Sequence, residues 1–243
     1  MTIDPACVAC IINQSRRVAD AIRADDALTD KLVGSVEKMA PGFSFEQSPP
    51  EVASDVYEKL AEIAGKSDLY DEVKAHSTET ARRFVPELRE AIASAENKLL
   101  TATKVAVAGN VIDLAAEVSF DLHEEVEKLF HTDFAINDFD ALAASLKEAR
   151  TLLYIGDNVG EHIFDYLYIE TLQQLFPELE ITYMVRGCPI INDVTMQEAL
   201  EAGFDKLCHL VDSGVNTPGF VYERANEESR KLFDSADLVM TKG

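Results

Sequence analysis

Oxygen-bearing side chains follow two apolar runs in the C-terminal half of the sequence. Asp157, Asn158 and Glu161 come directly after the run TLLYIG, and Asp193 closes the segment RGCPIIND, which follows the run ITYMV. If these runs are neighbouring parallel strands, both polar segments lie at the carboxyl edge of one sheet, where such sheets bind ligands. Asp157, Asn158 and Asp193 then offer two carboxylates and an amide oxygen, a set that suits a hard divalent cation such as Mg²⁺ or Mn²⁺.

The same side chains have a structural alternative, because Asp and Asn are common helix caps. Asp157 or Asn158 could cap a helix that begins near Gly160, and Asp193 could cap the predicted helix VTMQEALEAG. Metal binding and capping are compatible, since a capping side chain at a helix N-terminus already faces the strand ends. The spacing alone therefore leaves both interpretations open.

Two further segments reach the same predicted edge. The small-residue segment DSGVNTPG contains Ser213 and Gly214 and opens a predicted helix, whose free backbone N–H groups could bind an anion. A plain turn is the alternative for this segment. The segment TKG places Lys242 at the end of the fourth predicted strand, where its ammonium could pair with a phosphoryl oxygen. A solvated surface lysine is the alternative there.

Polar residues also interrupt an apolar helical stretch in the N-terminal half. The segment GNVID at 109–113 carries Asn110 and Asp113 one helical turn apart. We expect both to reach the cleft between the two halves of the molecule, where Asn110 would contact a substrate. Alternatively, they satisfy buried backbone groups or cap a helix after Gly109.

A CxxC pair, Cys7 and Cys10, lies on the predicted N-terminal helix. One CxxC is half of a four-ligand zinc site, and no second CxxC or suitably spaced histidine pair completes it. No strand precedes the pair, so it does not resemble a thioredoxin motif. Helix packing by reduced thiols, a redox role and metal binding are the three alternatives.

The elements that position these residues divide into a helical half and an α/β half. Residues 5–130 carry apolar side chains at three- and four-residue spacing, which predicts helices nearly throughout, with a break at PGFSFEQSPPEV. From about residue 150, short apolar runs alternate with helical stretches in a β-α-β-α-β-α-β series. Strands joined by crossover helices form a parallel sheet covered on both faces. We therefore predict an all-helical subdomain over 1–145 and a Rossmann-like three-layer α/β/α domain over 146–243.

Charge and hydropathy exclude several classes of partner. The 243 residues contain 22 Lys and Arg against 44 Asp and Glu, a formal net charge of −22, so nucleic acid would be repelled from most of the surface. No segment approaches the roughly 20 uninterrupted apolar residues of a membrane-spanning helix, and the N-terminus lacks the layout of a signal peptide. We expect a cytoplasmic protein without a membrane or nucleic-acid partner. A phosphorylated small molecule would need a local cation to bind.

Six segments taken together resemble one family. In chain order they are CVACIINQ, GNVID, GDNVGE, RGCPIIND, DSGVNTPG and the terminal TKG. Their combination is similar to the metal-dependent damage-control phosphatases, specifically the archaeal-type subfamily with an N-terminal CxxC, related to proteins once proposed as acidic-residue methyltransferases. The resemblance spans essentially the whole chain and implies a helical portion joined to a Rossmann-like domain.

The resemblance also implies roles for individual residues. The metal ligands would be Asp157, Asn158 and Asp193. The residues on the substrate side would be Glu161, Ser213, Gly214 and Lys242. Family members resemble phosphatases of sugar phosphates and of damaged or overproduced phosphometabolites, with manganese, cobalt or nickel as the supporting metal. Magnesium stays a candidate from the ligand chemistry.

We therefore expect a metal-dependent phosphatase that hydrolyses phosphate monoesters of small metabolites. An S-adenosylmethionine-dependent methyltransferase is one alternative, although no Gly-rich loop follows the first strand, and a non-catalytic metabolite-binding or redox module that uses CxxC is another. The family continues past its Lys-Gly pair, whereas this sequence stops at Gly243, so the resemblance implies a truncated C-terminal end. The nucleophile, a water or an aspartate, and the oligomeric state stay open.

Overall fold

The computed structural model describes residues 2–115, 132 and 134–242, without the side chains of 111–115. The predicted helical residues 116–130 lie outside this part. The helices before the sheet are α1 (Pro5–Ala21), α2 (Asp26–Met39), α3 (Pro49–Ala64), α4 (Asp71–Ser94), α5 (Lys98–Ala115) and α6 (Phe139–Glu148). Among the described helices, none is long and apolar enough to cross a membrane.

Local sequence signals explain where these helices begin and end. The Asp4 carboxylate accepts hydrogen bonds from the backbone N–H groups of Ala6 and Cys7 and so caps α1. At the predicted break before α3, the Ser48 N–H donates to the Glu51 carboxylate over 2.9 Å, as in a capping box. Helix α3 is followed by Gly65, its C-cap residue, whose φ of +67° lies in the left-handed region that glycine tolerates.

The second half contains a parallel four-stranded sheet in the order β3-β2-β1-β4. Its strands are β1 (Thr151–Ile155), β2 (Glu180–Val185), β3 (His209–Asp212) and β4 (Leu238–Thr241). They alternate with α7 (His162–Leu175), α8 (Met196–Ala202) and α9 (Glu227–Ser235). Because the chain leaves β1 towards β2 and later returns to the other side of β1 as β4, the strand order reverses at β1. Ligands of such sheets bind beyond the strand ends at this point.

Side chains of β1 alternate between two apolar cores. Leu152 and Tyr154 belong to a cluster that includes residues of α4, α5 and α7. Leu153 and Ile155 belong to a second cluster, against which Leu232 of α9 packs. This two-residue period places helices on both faces of the sheet. The predicted Rossmann-like three-layer α/β/α arrangement with an N-terminal helical portion is confirmed.

A third apolar cluster joins α1, α2 and α3. It includes Ile190, which comes from the segment between β2 and α8, so the N-terminal helices pack against the segment that carries Asp193. Helices α4 and α5 instead contribute Phe84 and Val105 to the sheet-side cluster. The division into 1–145 and 146–243 stays a prediction, and the sheet-side core contains residues from both ranges.

Candidate functional site

Two backbone segments meet at the carboxyl edge of β1 and β2. The N–H of Val194 donates to the carbonyl of Asp157 over 2.7 Å, and the N–H of Val159 donates to the carbonyl of Asn192 over 2.8 Å. These bonds form a short antiparallel bridge in which Asn158 faces Asp193. The structure therefore brings the three predicted metal ligands together, although Asp193 lies 35 residues after Asn158 in the chain.

A buried arginine joins the two aspartates. Nε of Arg186 donates to Oδ2 of Asp193 over 2.7 Å, and its Nη2 donates to Oδ1 of Asp157 over 3.3 Å. A third guanidinium nitrogen donates to the carbonyl of Gly156 over 3.2 Å. Sequence reasoning gave Arg186 no role, although an arginine directly after a buried strand run was the available signal. The guanidinium fixes the distance and orientation of the carboxylates.

Burial shifts the acid–base equilibria of both aspartates. Burial raises the pKa of Asp193 to about 6, partly offset by the charge of Arg186. Burial, and then the negative charge of Glu161, raises the pKa of Asp157. Each carboxylate is thus less stable as an anion than it is in water. A cation in contact with them would recover that lost stability.

The capping alternative for these aspartates does not hold. Helix α8 is capped by Thr195, whose N–H and hydroxyl both donate to the Glu198 carboxylate. Asp193 directs its Oδ2 instead to Arg186 and to the N–H of Gly219, at 3.2 Å. The Asp157 carboxylate contacts Arg186 and the side-chain amide of Asn158. The alternative in which Asp193 caps VTMQEALEAG is therefore wrong.

Lys242 and Glu161 form an ion pair at the neighbouring strand end. Lys242 follows β4, and its Nζ lies 2.8 Å from Oε2 of Glu161. The same Nζ donates to the carbonyl of Ala106 in α5 over 2.6 Å. Glu161 is fully buried, and its Oε1 accepts from the N–H of Asn158 over 3.2 Å. A direct contact of Glu161 with substrate stays a prediction.

Helix α5 approaches this ion pair through a glycine. A Cβ atom added to Gly109 would lie 2.7 Å from the Cβ of Glu161, closer than two side chains can pack. The helix continues through Gly109, so the alternative of a helix start after this residue is wrong. Asn110 is the next residue and is exposed. The side chain of Asp113 lies outside the described residues.

The segment 212–219 differs from its prediction. It does not open a helix, because α9 begins only at Glu227, behind the Asn226 cap. Ser213 is buried and its hydroxyl accepts from the N–H of Val215. Gly214 adopts a φ of +70° and packs against Gly187. The segment reaches the site through the bond from Gly219 to Asp193, and substrate binding by Ser213 and Gly214 stays a prediction.

The two N-terminal cysteines are free thiols on α1. Cys7 packs against the apolar cluster of α1, α2 and α3, whereas Cys10 is exposed. The helix-packing alternative therefore accounts for the thiol of Cys7 but not for that of Cys10. Within the described residues, no group of three or more His, Cys, Asp and Glu side chains is arranged to hold a metal. The predicted ligand set contains only two such residues and an asparagine.

Comparison with known proteins identifies the family. Residues 3–243 match the model of the damage-control phosphatase ARMT1-like domain. The chain belongs to this family. The damage-control phosphatase PH1575 of Pyrococcus horikoshii is 30% identical over 245 residues, which cover 100% of this chain and 84% of that protein. A damage-control phosphatase of Archaeoglobus fulgidus is 28% identical over 249 residues, which cover 100% of this chain and 85% of that protein.

The damage-control phosphatase fold is also seen in a solved relative. The crystal structure of the DUF89 family protein PH1575 from Pyrococcus horikoshii superposes on this chain with a TM-score of 0.88 and 29% sequence identity. The match covers 100% of this chain and 85% of the chain in that crystal structure. The predicted family is therefore confirmed, and the chain is a hydrolase of the phosphatase class. The assignment to a CxxC subfamily stays a prediction.

Proposed function

We propose that this damage-control phosphatase is metal-dependent and hydrolyses phosphate monoesters of small metabolites, either sugar phosphates or damaged phosphometabolites. The observation that carries the proposal is the arrangement of Asp157, Asn158 and Asp193 beyond the carboxyl ends of β1 and β2. Lys242 stands beyond β4, on the other side of β1. Oxygen ligands and a phosphate-pairing ammonium thus flank the point where the strand order reverses.

The charges of the described residues fit a divalent cation. Asp157 and Asp193 share Arg186, and Glu161 and Asp165 share Lys242. In these contacts four carboxylates face two cationic side chains, which leaves two negative charges when all four acids are ionised. Asp157, Asn158 and Asp193 would hold manganese, cobalt, nickel or magnesium, because their donor atoms are hard oxygens. When bound, the ion supplies Lewis-acid polarisation of a phosphoryl oxygen.

The chain's own residues supply orientation and charge. Arg186 holds the two aspartates in one geometry, so little reorganisation is needed when a ligand enters. The Lys242 ammonium compensates the negative charge that develops on the phosphoryl group. Glu161 and the carbonyl of Ala106 hold that ammonium near the strand end. A bound divalent ion would balance the two negative charges that remain in these contacts, so that the Lys242 ammonium can pair with a phosphorylated substrate on a protein with a net charge of −22.

The test is hydrolysis of p-nitrophenyl phosphate by the 243-residue protein. Metal-stripped protein should be inactive, and one of Mn²⁺, Co²⁺, Ni²⁺ or Mg²⁺ should restore activity. Asp157→Asn and Asp193→Asn should each lower kcat/KM by more than about 100-fold, because they remove a charged ligand but keep the side-chain size. The exposed Asp205→Asn is the matched control and should retain wild-type activity.

A second readout does not depend on activity. Mn²⁺ should raise the thermal midpoint of the wild type and of Asp205→Asn, because an ion that binds only the folded state stabilises it. The same addition should leave Asp193→Asn nearly unchanged. Equal midpoint shifts in all three proteins, or full activity after metal removal, would refute the metal dependence while leaving the phosphatase family intact.

A further inference from the structure

A buried hydrogen-bond network lies beneath Lys242, on the side of β1 and β2. Asp165 is fully buried in α7, four residues after Glu161, so both carboxylates lie on one face of the helix. Its Oδ1 accepts from the hydroxyl of Tyr154 over 2.7 Å, and its Oδ2 accepts from the hydroxyl of Tyr183 over 3.3 Å. Both carboxylate oxygens are therefore fixed from the strands below.

The network ends at the Lys242 ammonium. Nζ lies 3.5 Å from Oδ1 of Asp165 and 2.8 Å from Oε2 of Glu161, while it donates to the carbonyl of Ala106. A lysine side chain is long and flexible, and one acceptor would leave its ammonium free to swing. Contacts from α5, from Glu161 at the N-cap of α7 and from Asp165 within α7 restrict the ammonium to one position.

The tyrosine rings are themselves packed rigidly. The rings of Tyr154 and Tyr183 stack with their centroids 5.6 Å apart, and Phe204 stacks on Tyr183 at 4.2 Å. The Tyr183 hydroxyl occupies the space beside Gly156, so a Cβ atom added to Gly156 would overlap it. Gly156 directly precedes Asp157, so the network and the predicted metal ligands share the carboxyl end of β1.

We propose that Asp165, held by Tyr154 and Tyr183, is a positioning residue that fixes the Lys242 ammonium at the phosphate end of the site. This inference rests on the proposed function, which gives Lys242 its role towards phosphate. Glu161 alone already balances the charge of Lys242. Asp165 supplies a second carboxylate contact, which fixes the orientation of the lysine side chain. Asp165 does not touch the substrate, since it is buried below the lysine.

The first test is a double-mutant cycle on p-nitrophenyl phosphate hydrolysis with Mn²⁺. Asp165→Asn should lower kcat/KM by about 10- to 100-fold, the cost of a misplaced catalytic group. In the Lys242→Met background the same substitution should change kcat/KM by less than about twofold, because Asp165 acts through the lysine. Glu170→Gln, on the same helix but in an exposed ion pair with Arg89, is the control and should change neither background.

A second variant tests the same role in case Asp165→Asn folds poorly. Tyr154→Phe keeps the Asp165 charge but removes the donor to its Oδ1, and it should lower kcat/KM by about 3- to 10-fold only when Lys242 is present. A purely structural role would give the same loss in both backgrounds. That result overturns the positioning role of Asp165.

The pH profile gives a readout that a structural role would not move. Burial by itself lowers the pKa of Lys242, but the charges of Asp165 and Glu161 outweigh it and raise the net pKa. The charge of Lys242 also interacts with the carboxylate of Asp157. Asp165→Asn should therefore move the basic limb of kcat/KM to lower pH, and Tyr154→Phe should not. An unmoved limb in Asp165→Asn overturns the inference.

The failures can be told apart. If Lys242→Met retains wild-type kcat/KM, the role of the lysine in the proposed function fails, and the role of Asp165 fails with it. If Lys242→Met loses activity but Asp165→Asn causes equal losses in both backgrounds, only the inference about Asp165 fails. Absence of hydrolysis by the wild type with every metal would overturn both.

Discussion

Replacement of the buried Arg186 by methionine should destabilise the metal-free protein strongly. The side chain of Arg186 is 2% exposed, and its partners Asp157 and Asp193 are 17% and 5% exposed. Methionine fills a similar volume but leaves two adjacent carboxylates without a counter-charge. Breaking a buried ion pair by removing one partner costs about 3–5 kcal/mol. We expect a loss of this size in the free energy of unfolding at pH 7.5.

The assay is urea denaturation of metal-stripped protein, since urea does not screen charges. Arg89→Met is the matched control, because Arg89 pairs with Glu170 at 3.0 Å but is 51% exposed. Such exposed pairs contribute up to about 1 kcal/mol. Under the proposed metal dependence, Mn²⁺ should restore part of the stability of Arg186→Met, since the ion replaces the missing positive charge. A loss no larger than that of Arg89→Met would refute the charge argument.

Three further predictions concern stability. Gly109→Ala should lower the free energy of unfolding by about 1–3 kcal/mol, because the new Cβ would lie 2.7 Å from the Cβ of Glu161. Gly34→Ala in α2 is the control, since a Cβ atom added there has no other atom within 4 Å. It should raise the free energy of unfolding by about 0.5–1 kcal/mol in the same urea assay. Burial raises the pKa of Asp165 from its ordinary value of 3.8 to about 6, because the folded protein favours the protonated carboxyl. The contribution of this carboxyl to the free energy of unfolding is therefore fully present below pH 3.8 and is lost as the pH rises through about 6. Asp165→Asn should remove about 3 kcal/mol of that pH dependence, and unchanged curves from pH 4 to 7 would contradict this. Thr195→Ala should cost about 1 kcal/mol by removing the cap of α8, measured as the shift in urea midpoint.

Local patterns were sufficient to predict most of the elements of the α/β half. The runs TLLYIG and ITYMV correspond to β1 and β2, because buried parallel strands are continuous apolar stretches. The break before α3 was visible in Ser48 and its prolines. The helix predicted to follow DSGVNTPG was placed too early, since α9 begins only at Glu227. A loop whose N–H groups bond to its own side chains carries no helical periodicity to reveal this.

The site was only partly predictable. Asp157, Asn158 and Asp193 could be predicted as neighbours because each follows a strand of one parallel sheet. Arg186 was missed, since its place directly after a buried strand run is a weak signal that does not by itself distinguish an arginine that turns inward from one that is solvated. Whether Asp193 caps α8 was also undecided locally, because Thr195 two residues later is an equally good cap.

The sequence by itself determined the alternation of strands and helices, the acidic charge and the family, because periodicity, composition and motif order are local or additive properties. Only the tertiary structure decided which buried charges meet. Asp165 contacts Lys242 across 77 positions of the chain, and Gly109 meets Glu161 across 52. Such contacts depend on the order of strands in the sheet and on the packing of α5 against α7, and no spacing along the chain encodes either.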